Sequence, residues 1–242
     1  MQMQDISPLW VAFQDINRRR RAVRDFDGTP IPDEQVRSLL SEAMKAPSSG
    51  NLQPYRLHWV RDPGVKTKVA IACNGQQAAT SAPTLVVVAA SRHIALGTAG
   101  QQLAHIEGSS DLTERGKTYH RSQLRMFDRV LRLGSWPVWA PLVALVGLFK
   151  PSLSLLPLGH LGSRAWAARN AAFAAQTLML AASARGIDSC PMEGFSAPKV
   201  AQILGLPSGT VIPVVIALGH RAAQARIDGQ WRRPFEDVVV EH

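Results

Sequence analysis

The sequence Arg18-Arg-Arg-Arg-Ala-Val-Arg-Asp-Phe26 is the densest basic cluster of the chain. Apolar side chains with helical spacing precede it in residues 6–19, and the turn sequence Gly28-Thr-Pro-Ile-Pro32 follows it. On its own, the cluster fits a solvated helix end, a phosphate-binding site or a nucleic-acid surface. The nearby aromatic residues Phe13 and Phe26 fit a hydrophobic core, so the nucleic-acid surface is the least favoured of the three.

Basic residues outnumber acidic residues in the chain as a whole. Its 242 residues contain 27 lysines and arginines against 18 aspartates and glutamates, which gives a formal net charge of +9 at pH 7. Most of the basic residues are arginines, whose planar fork of donors suits phosphate and carboxylate groups. The charge therefore indicates an anionic partner, without distinguishing a nucleic acid, a membrane lipid or a small phosphorylated ligand.

Length and composition exclude several classes of protein. A chain of 242 residues forms one large domain or two small ones, and a hydrophobic content of 46% excludes wholesale disorder. Two cysteines, Cys73 and Cys190, are too few for a disulfide scaffold or a four-thiolate zinc site. The chain does not begin with a basic segment followed by an apolar one, so we expect a cytoplasmic protein with reduced thiols.

Helices and strands alternate irregularly along the chain. Apolar patterns with helical period predict helices over residues 6–19, 33–47, 64–73, 164–185 and 199–204. Alternating or continuous apolar runs predict strands over residues 55–60, 84–90 and 210–218. Residues 100–133 form a basic amphipathic stretch, and residues 134–161 are apolar and interrupted by prolines. The irregular alternation favours an α+β fold over a doubly wound parallel sheet.

Common catalytic and nucleotide-binding motifs are absent from the sequence. It contains no GxGxxG, GxxxxGK[ST], HExxH, CxxC or GxSxG pattern, and its seven histidines lack the spacing of metal ligands. Cys190 precedes Pro191 and has no neighbouring base, which favours a buried, inert thiol over a nucleophile.

Five segments, in order, resemble the nitroreductase family. The segment from Arg20 to Phe26 is similar to the family's Arg-Arg-Ser-x-Arg-x-Phe, and Ala46-Pro-Ser-Ser-Gly-Asn-Leu-Gln-Pro-Tyr55 to its Ala-Pro-Ser-x-x-Asn-x-Gln-Pro-Trp. Cys190-Pro-Met-Glu-Gly-Phe195 resembles its Pro-x-Glu-Gly segment. Ile216-Ala-Leu-Gly-His220 and Arg232-Arg-Pro-Phe-Glu236 resemble its late strand and closing Arg-x-Pro. The matches lie within residues 16–91 and 164–240, and residues 92–163 have no clear counterpart.

The resemblance implies an FMN-dependent enzyme. Arg20, Arg21 and Arg232 would bind the FMN phosphate, and Arg24 would lie near the N1–C2 edge of the flavin. Ala22 stands where the family has a serine, so one hydroxyl contact is absent. Gln230 likewise stands where some members have a second phosphate-binding lysine.

Further contacts to FMN follow from the same resemblance. The loop residues expected to meet the flavin from the partner subunit are Pro47, Ser48, Ser49 and Asn51. Gln77 would contact the pyrimidine or ribityl region. Pro191, Glu193 and Gly194 match the segment whose backbone N–H faces flavin N5; outside this context that segment would be an ordinary turn before a helix.

The activity implied is a ping-pong transfer of hydride from NADH or NADPH through flavin N5 to an oxidised small-molecule acceptor, such as a nitroaromatic or a quinone. The cofactor supplies the chemistry, so no catalytic side chain is nominated.

The fold implied is a single domain over 1–242. It has a central mixed or antiparallel sheet flanked by helices, in an intertwined homodimer whose C-terminal strand, Val238–Val240, joins the other subunit's sheet. On the helix 164–185, Asn170 and Gln176 are expected to satisfy each other or the backbone.

Residues 92–163 are predicted to form a helical insertion within this domain. One interpretation is a lid or added dimer contact over the flavin cavity, which would favour a bulky apolar acceptor. The other is weak contact of residues 134–161 with a membrane surface. Trp136, Trp139 and Phe149 would then enter the lipid, and Arg115, Arg121, Arg125, Arg129 and Arg132 would meet anionic headgroups. Gly134–Phe149 is shorter than the roughly 20 residues of a membrane-spanning helix.

Two other functions remain open on the sequence alone. The same fold could use flavin for dehalogenation or for flavin breakdown. A basic nucleic-acid-binding protein without flavin would explain the charge, but it would leave the Pro-Ser-Ser and Pro-x-Glu-Gly segments without a purpose, so we expect no nucleic-acid partner.

Overall fold

An antiparallel sheet of four strands forms the centre of the protein, in the order β1-β2-β4-β3. The computed structural model describes residues 7–133, 138–150 and 157–242. The strands are β1 Tyr55–Val60, β2 Thr84–Ala90, β3 Asp188–Met192 and β4 Val211–Gly219. All seven residues of β2 are buried, because this strand lies between β1 and β4 and is covered by helices on both faces.

Nine helices surround the sheet in the described part of the chain. They are α1 Pro8–Arg19, α2 Asp33–Ala43, α3 Pro63–Ala72, α4 Gln77–Ser81, α5 Arg92–Gly108, α6 Glu114–Leu133, α7 Trp139–Phe149, α8 Gly159–Ala184 and α9 Ala197–Ile203. None of the described helices combines the length and the apolar character that crossing a bilayer requires.

Two hydrophobic cores lie on opposite faces of the sheet. Val86 and Val88 of β2 pack into the larger core with residues of α2, α5, α6 and α8. Leu85 and Val87 point to the other face and pack with residues of α3, α4 and α9. Successive strand residues alternate between faces, so a strand that is apolar at every position can serve both cores.

The predicted α+β class is confirmed, with a sheet that is antiparallel throughout its described strands. β3 was not predicted, because Pro191 interrupts the apolar pattern of a strand that is only five residues long. α8 begins at Gly159, earlier than the predicted residue 164. Val238–Val240 follows a short 3₁₀ turn and forms no strand in the single chain described.

The basic segment after α1 is fastened to the sheet by backbone contacts. Ala22 forms a parallel bridge with Ser189 of β3, and the Val23 N–H donates to the Ser189 carbonyl over 3.1 Å. Phe26 then packs on Gly219 at the end of β4. A Cβ at position 219 would lie 2.7 Å from Phe26 Cδ1 and 2.7 Å from Pro83 Cδ. The segment can therefore approach the sheet only because residue 219 has no side chain.

We expect Gly219→Ala to lower the free energy of unfolding by about 2 kcal/mol, since the added methyl group would overpack two rigid rings. Urea denaturation measures this change. Gly100→Ala is the control, because Gly100 lies in α5 and a Cβ at that position would have no neighbouring atom within 4 Å. That variant should gain roughly 0.5–1 kcal/mol from helix propensity. Equal stability of Gly219→Ala and the wild type would contradict the proposed close packing.

Candidate functional site

Arg20 and Arg232 line one cavity of about 400 Å³, together with Asn17, Arg18, Gln176 and Gln230. Arg20 follows the last residue of α1, and Arg232 comes from the C-terminal segment, more than two hundred residues later. Burial lowers the pKa of Arg20, and the positive charges of Arg232 and Arg21 lower it further. The fold thus holds like charges together at this cavity, which favours an anionic occupant.

Several arginines around this cavity have no carboxylate partner in the described part of the chain. Within residues 7–133, 138–150 and 157–242, none of Arg20, Arg21, Arg24 and Arg232 forms an ion pair, whereas Arg18 and Arg19 contact Asp15 and Arg221 contacts Asp188. Arg21 Nη1 is buried without a hydrogen-bond partner. A buried cationic donor without a partner is costly, so the arrangement fits a bound anion such as a phosphate group.

Arg20 and Arg21 point to different cavities. Arg21 lines a neighbouring cavity of about 490 Å³ with Arg18, Arg19 and Arg221. The reason is the extended backbone after α1, in which successive side chains lie on opposite sides. The structure therefore brings Arg20 and Arg232 together directly, while Arg21 contributes its charge from the adjacent cavity.

Gln176 has a different environment from the one expected. Asn170, in the same helix α8, forms both of its expected hydrogen bonds with backbone groups. Its Oδ1 accepts from the Ser49 N–H over 2.7 Å, and its Nδ2 donates to the Trp166 carbonyl over 2.8 Å. Gln176 is exposed and lines the cavity of Arg20. Asn17, one residue before the basic cluster, also lines this cavity and was not predicted.

Arg24 lies near β3. The bridge between Ala22 and Ser189 holds this segment against the strand, and Arg24 is close enough to Cys190 for its charge to act on the thiol. Burial raises the pKa of the Cys190 thiol, and the charge of Arg24 offsets part of that rise. Cys190 is buried, as expected for an inert thiol.

Glu193 and Gly194 are exposed and follow β3 directly. The Gly194 carbonyl accepts from Asn74 Nδ2 over 2.9 Å and from Gln76 Nε2 over 2.8 Å. These two amides fix the orientation of the backbone at Gly194. Gln77, at the start of α4, donates from Nε2 to Asp25 Oδ1 over 3.0 Å and so ties α4 to the basic segment.

The Pro-Ser-Ser loop is held from two sides. Ser48 Oγ accepts from the Gln53 N–H over 3.0 Å, and the Ser49 N–H donates to Asn170 of α8. Gly50 has a φ of +59°, and a Cβ there would lie 2.6 Å from the ring of Phe127 in α6. Pro47, Ser49 and Asn51 remain exposed.

This loop borders a second cavity, of about 770 Å³, lined by Asn51, Gln53 and residues of β1, α2 and α5. Two buried atoms in its wall have no partner in the described chain: the Tyr55 hydroxyl oxygen and Gln102 Oε1. Burial raises the pKa of Tyr55, and burial together with Arg56 lowers the pKa of His58. Sequence periodicity assigned Tyr55 to a strand but carried no signal for its unpaired hydroxyl.

The site residues thus fall into two groups in one chain. The basic segment, the end of β3 and α4 carry Arg20, Arg21, Ala22, Arg24, Gln77, Pro191, Glu193 and Gly194, with Arg232 reaching the same region. The loop residues Pro47, Ser48, Ser49 and Asn51 lie just before the start of β1, beside the other cavity.

The chain is similar in sequence to known proteins. The family model described as the nitroreductase family matches residues 18–220. A protein of Thermus thermophilus named NADH dehydrogenase is 30% identical over 222 residues, which are 92% of each chain. MhqN of Bacillus subtilis, provisionally named an NAD(P)H nitroreductase, is 27% identical over 93% of this chain and 95% of its own.

A solved structure extends the likeness to the whole fold. A protein of Exiguobacterium sibiricum, provisionally called a nitroreductase and solved in complex with FMN, superposes with a TM-score of 0.67 at 19% identity, covering 100% of both chains. The matched residues 18–220 begin in the basic segment and include the Pro-Ser-Ser loop and the end of β3. On these sequence and structural matches, the chain belongs to the nitroreductase family.

Proposed function

We propose that the protein is an FMN-dependent oxidoreductase that transfers hydride from NADH or NADPH to an oxidised apolar acceptor, such as a nitroaromatic or a quinone. Family membership supports the reaction class. The names of the relatives support the electron donor, and the FMN complex of the Exiguobacterium protein supports the cofactor.

The observation that carries the proposal is the uncompensated charge at Arg20 and Arg232. A phosphate monoester brings up to two negative charges and several acceptor oxygens, which match two guanidinium forks that have no carboxylate partner among the described residues. Arg21 adds a third positive charge and a buried donor, Nη1, that lacks an acceptor. We assign these three residues to the FMN phosphate, with Asn17, Gln176 and Gln230 as neutral donors around it.

The ring of the cofactor would then lie along the end of β3. Arg24, exposed beside β3, offers a positive charge to the N1–C2 edge, where it would stabilise negative charge on the reduced ring. Glu193 and Gly194 offer a backbone edge whose orientation is fixed by Asn74 and Gln76. Pro191 lies in the last part of β3, just before these two residues. Gln77 donates a hydrogen bond to Asp25, the residue after Arg24, and so lies close to the basic segment.

Two copies of the chain would complete each site. Pro47, Ser48, Ser49 and Asn51 border a different cavity from Arg20, so we assign their contact with FMN to the partner subunit in a homodimer. Val238 and Val240 are 63% and 72% exposed in the single chain. Such exposure of apolar residues near the C-terminus supports the exchange of this segment between subunits.

When bound, FMN would supply the redox chemistry, relaying hydride through N5 from the nicotinamide to the acceptor, and solvent would supply the proton that completes reduction of the acceptor, so no protein acid or base is nominated. The side chains of the site hold the phosphate, offer a positive charge to the ring and shape the acceptor cavity. Donor and acceptor would occupy the same face in turn, which corresponds to a ping-pong mechanism.

Purified protein that is incubated with FMN and then desalted to remove unbound flavin should remain yellow and should oxidise NADH or NADPH when a quinone or nitroaromatic is present. Initial rates measured against donor concentration at several acceptor concentrations should give parallel double-reciprocal lines. Intersecting lines would contradict the ping-pong mechanism. Protein that stays colourless after incubation with FMN would contradict the whole proposal.

Arg20→Ala and Arg232→Ala should each weaken FMN binding about 10- to 100-fold, because each removes charge-assisted hydrogen bonds to the phosphate. Quenching of FMN fluorescence on titration measures the dissociation constant. Arg226→Ala is the matched control, since Arg226 is exposed and contacts only Asp228 among described carboxylates. If all three variants bind FMN equally well, the phosphate does not lie at the cavity of Arg20.

Ala22→Ser should tighten FMN binding about three- to tenfold, because it supplies one neutral hydrogen bond from a backbone already held against Ser189. The same fluorescence titration applies, with the exposed Ala223→Ser as control. An affinity for FMN equal to that of the control would show that the side chain at position 22 does not reach the cofactor, and a weaker affinity would contradict the expected hydrogen bond.

A further inference from the structure

The outer face of α7 is apolar and uncovered in the described chain. The helix has the sequence WAPLVALVGLF, without a charged residue. Val138, Leu142, Leu145 and Phe149 follow one another at intervals of four, three and four residues, which places them on one side of the helix. They are 61%, 48%, 59% and 82% exposed. A continuous apolar stripe of this kind on a protein surface marks a contact site.

Helix α6, immediately before α7, has a basic outer face. Its sequence holds six arginines and lysines against two carboxylates. Leu124 and Leu131 point into the core, so the opposite side of the helix faces outward. Arg115, Arg125 and Arg129 are exposed on that side and form no ion pair with a described carboxylate. Tyr119 and Met126 lie among them, 59% and 53% exposed.

Chain length keeps the end of α6 close to the start of α7. Leu133 ends α6, and Val138 precedes α7, so five residue steps separate them. An extended chain covers at most about 18 Å in that distance. Lys150, directly after α7, adds a positive charge at the other end of the apolar helix. Apolar and cationic groups are thus combined within one short region.

We propose that α6 and α7 dock the protein on the surface of a bilayer that contains anionic phospholipid. The apolar stripe of α7 enters the boundary between headgroups and acyl chains, while Arg125 and Arg129 meet lipid phosphates. With eleven residues, α7 is about 16 Å long, roughly half the hydrocarbon thickness, so it lies along the surface.

Charge favours a lipid surface over a second copy of the chain as the occupant. In a two-fold contact centred on this region, the patch of one copy would face the same patch of the other. Two patches that both carry a net positive charge would then approach each other, at a cost that grows as the apolar stripe excludes water. An anionic surface instead attracts the patch, in line with the net charge of +9. This inference does not depend on the cofactor.

Co-sedimentation with vesicles tests the proposal on the full-length protein. Binding to vesicles of phosphatidylcholine with about 30% phosphatidylglycerol should be at least tenfold tighter than binding to phosphatidylcholine alone, and added salt should weaken it. Equal binding to both vesicle types, or none to either, would overturn the proposal.

Two double variants separate the contribution of the α6 arginines to vesicle binding from that of the apolar stripe of α7. Arg125→Glu with Arg129→Glu, and Leu145→Glu with Phe149→Glu, should each weaken binding to the anionic vesicles at least tenfold. Lys68→Glu with Lys199→Glu is the charge-matched control on α3 and α9, where both lysines are exposed, and Ile71→Glu is the apolar control. The controls should retain wild-type binding; losses as large as those of the α6 and α7 variants would overturn the proposal.

Light scattering in solution tests whether a second copy of the chain, instead of a bilayer, occupies this surface. The Arg125→Glu, Arg129→Glu variant should keep the molar mass of the wild type and its circular dichroism while it loses vesicle binding. If the α7 variant changes the molar mass but keeps its affinity for anionic vesicles, the apolar stripe is a contact between copies, and the proposal fails.

Discussion

The close approach of the basic segment to the end of the sheet is the constraint on which the site depends. Ala22 bridges to Ser189 of β3, and Phe26 packs on the bare Cα of Gly219 and bridges to Arg221 after β4, so the segment is held to the sheet at two points. The extended backbone after α1 sends Arg20 and Arg21 to opposite sides, and Arg24 is held between the two attachments. Without this anchoring, the arginines would be ordinary solvated side chains after a helix, free to separate.

Anchoring also has an electrostatic cost. Arg20 is partly buried beside two other cations, which is why its pKa falls. Within the described residues, Asp15 is paired with Arg18 and Arg19, and no carboxylate forms an ion pair with Arg20, Arg21 or Arg232 to reduce the repulsion. The repulsion between these fixed like charges lowers the stability of the folded protein when no anion is bound. A bound anion offsets that repulsion, so anion binding and folding stability are linked at this cavity. The same surplus of arginine on α6 faces solvent, where repulsion is weaker.

Much of the fold follows from local sequence, and much of the site does not. Strands β2 and β4 are continuous apolar runs, and α2 and α8 are rich in apolar residues between clear turn signals, so their positions were predictable. β3 was missed because Pro191 sits inside a short strand. The different directions of Arg20 and Arg21, the exposure of Gln176 and the unpaired Tyr55 hydroxyl depend on contacts between distant segments, which periodicity does not encode.

Gly50 connects regions that are otherwise far apart in the sequence. Any side chain at this position would collide with the Phe127 ring, so the Pro-Ser-Ser loop rests directly on the inner side of α6. The outer side of that helix carries Arg125 and Arg129. Close-packed contacts transmit displacement rather than absorb it. Because no free space separates Gly50 from the Phe127 ring, the loop and α6 cannot shift toward each other, and the position of the one limits the position of the other.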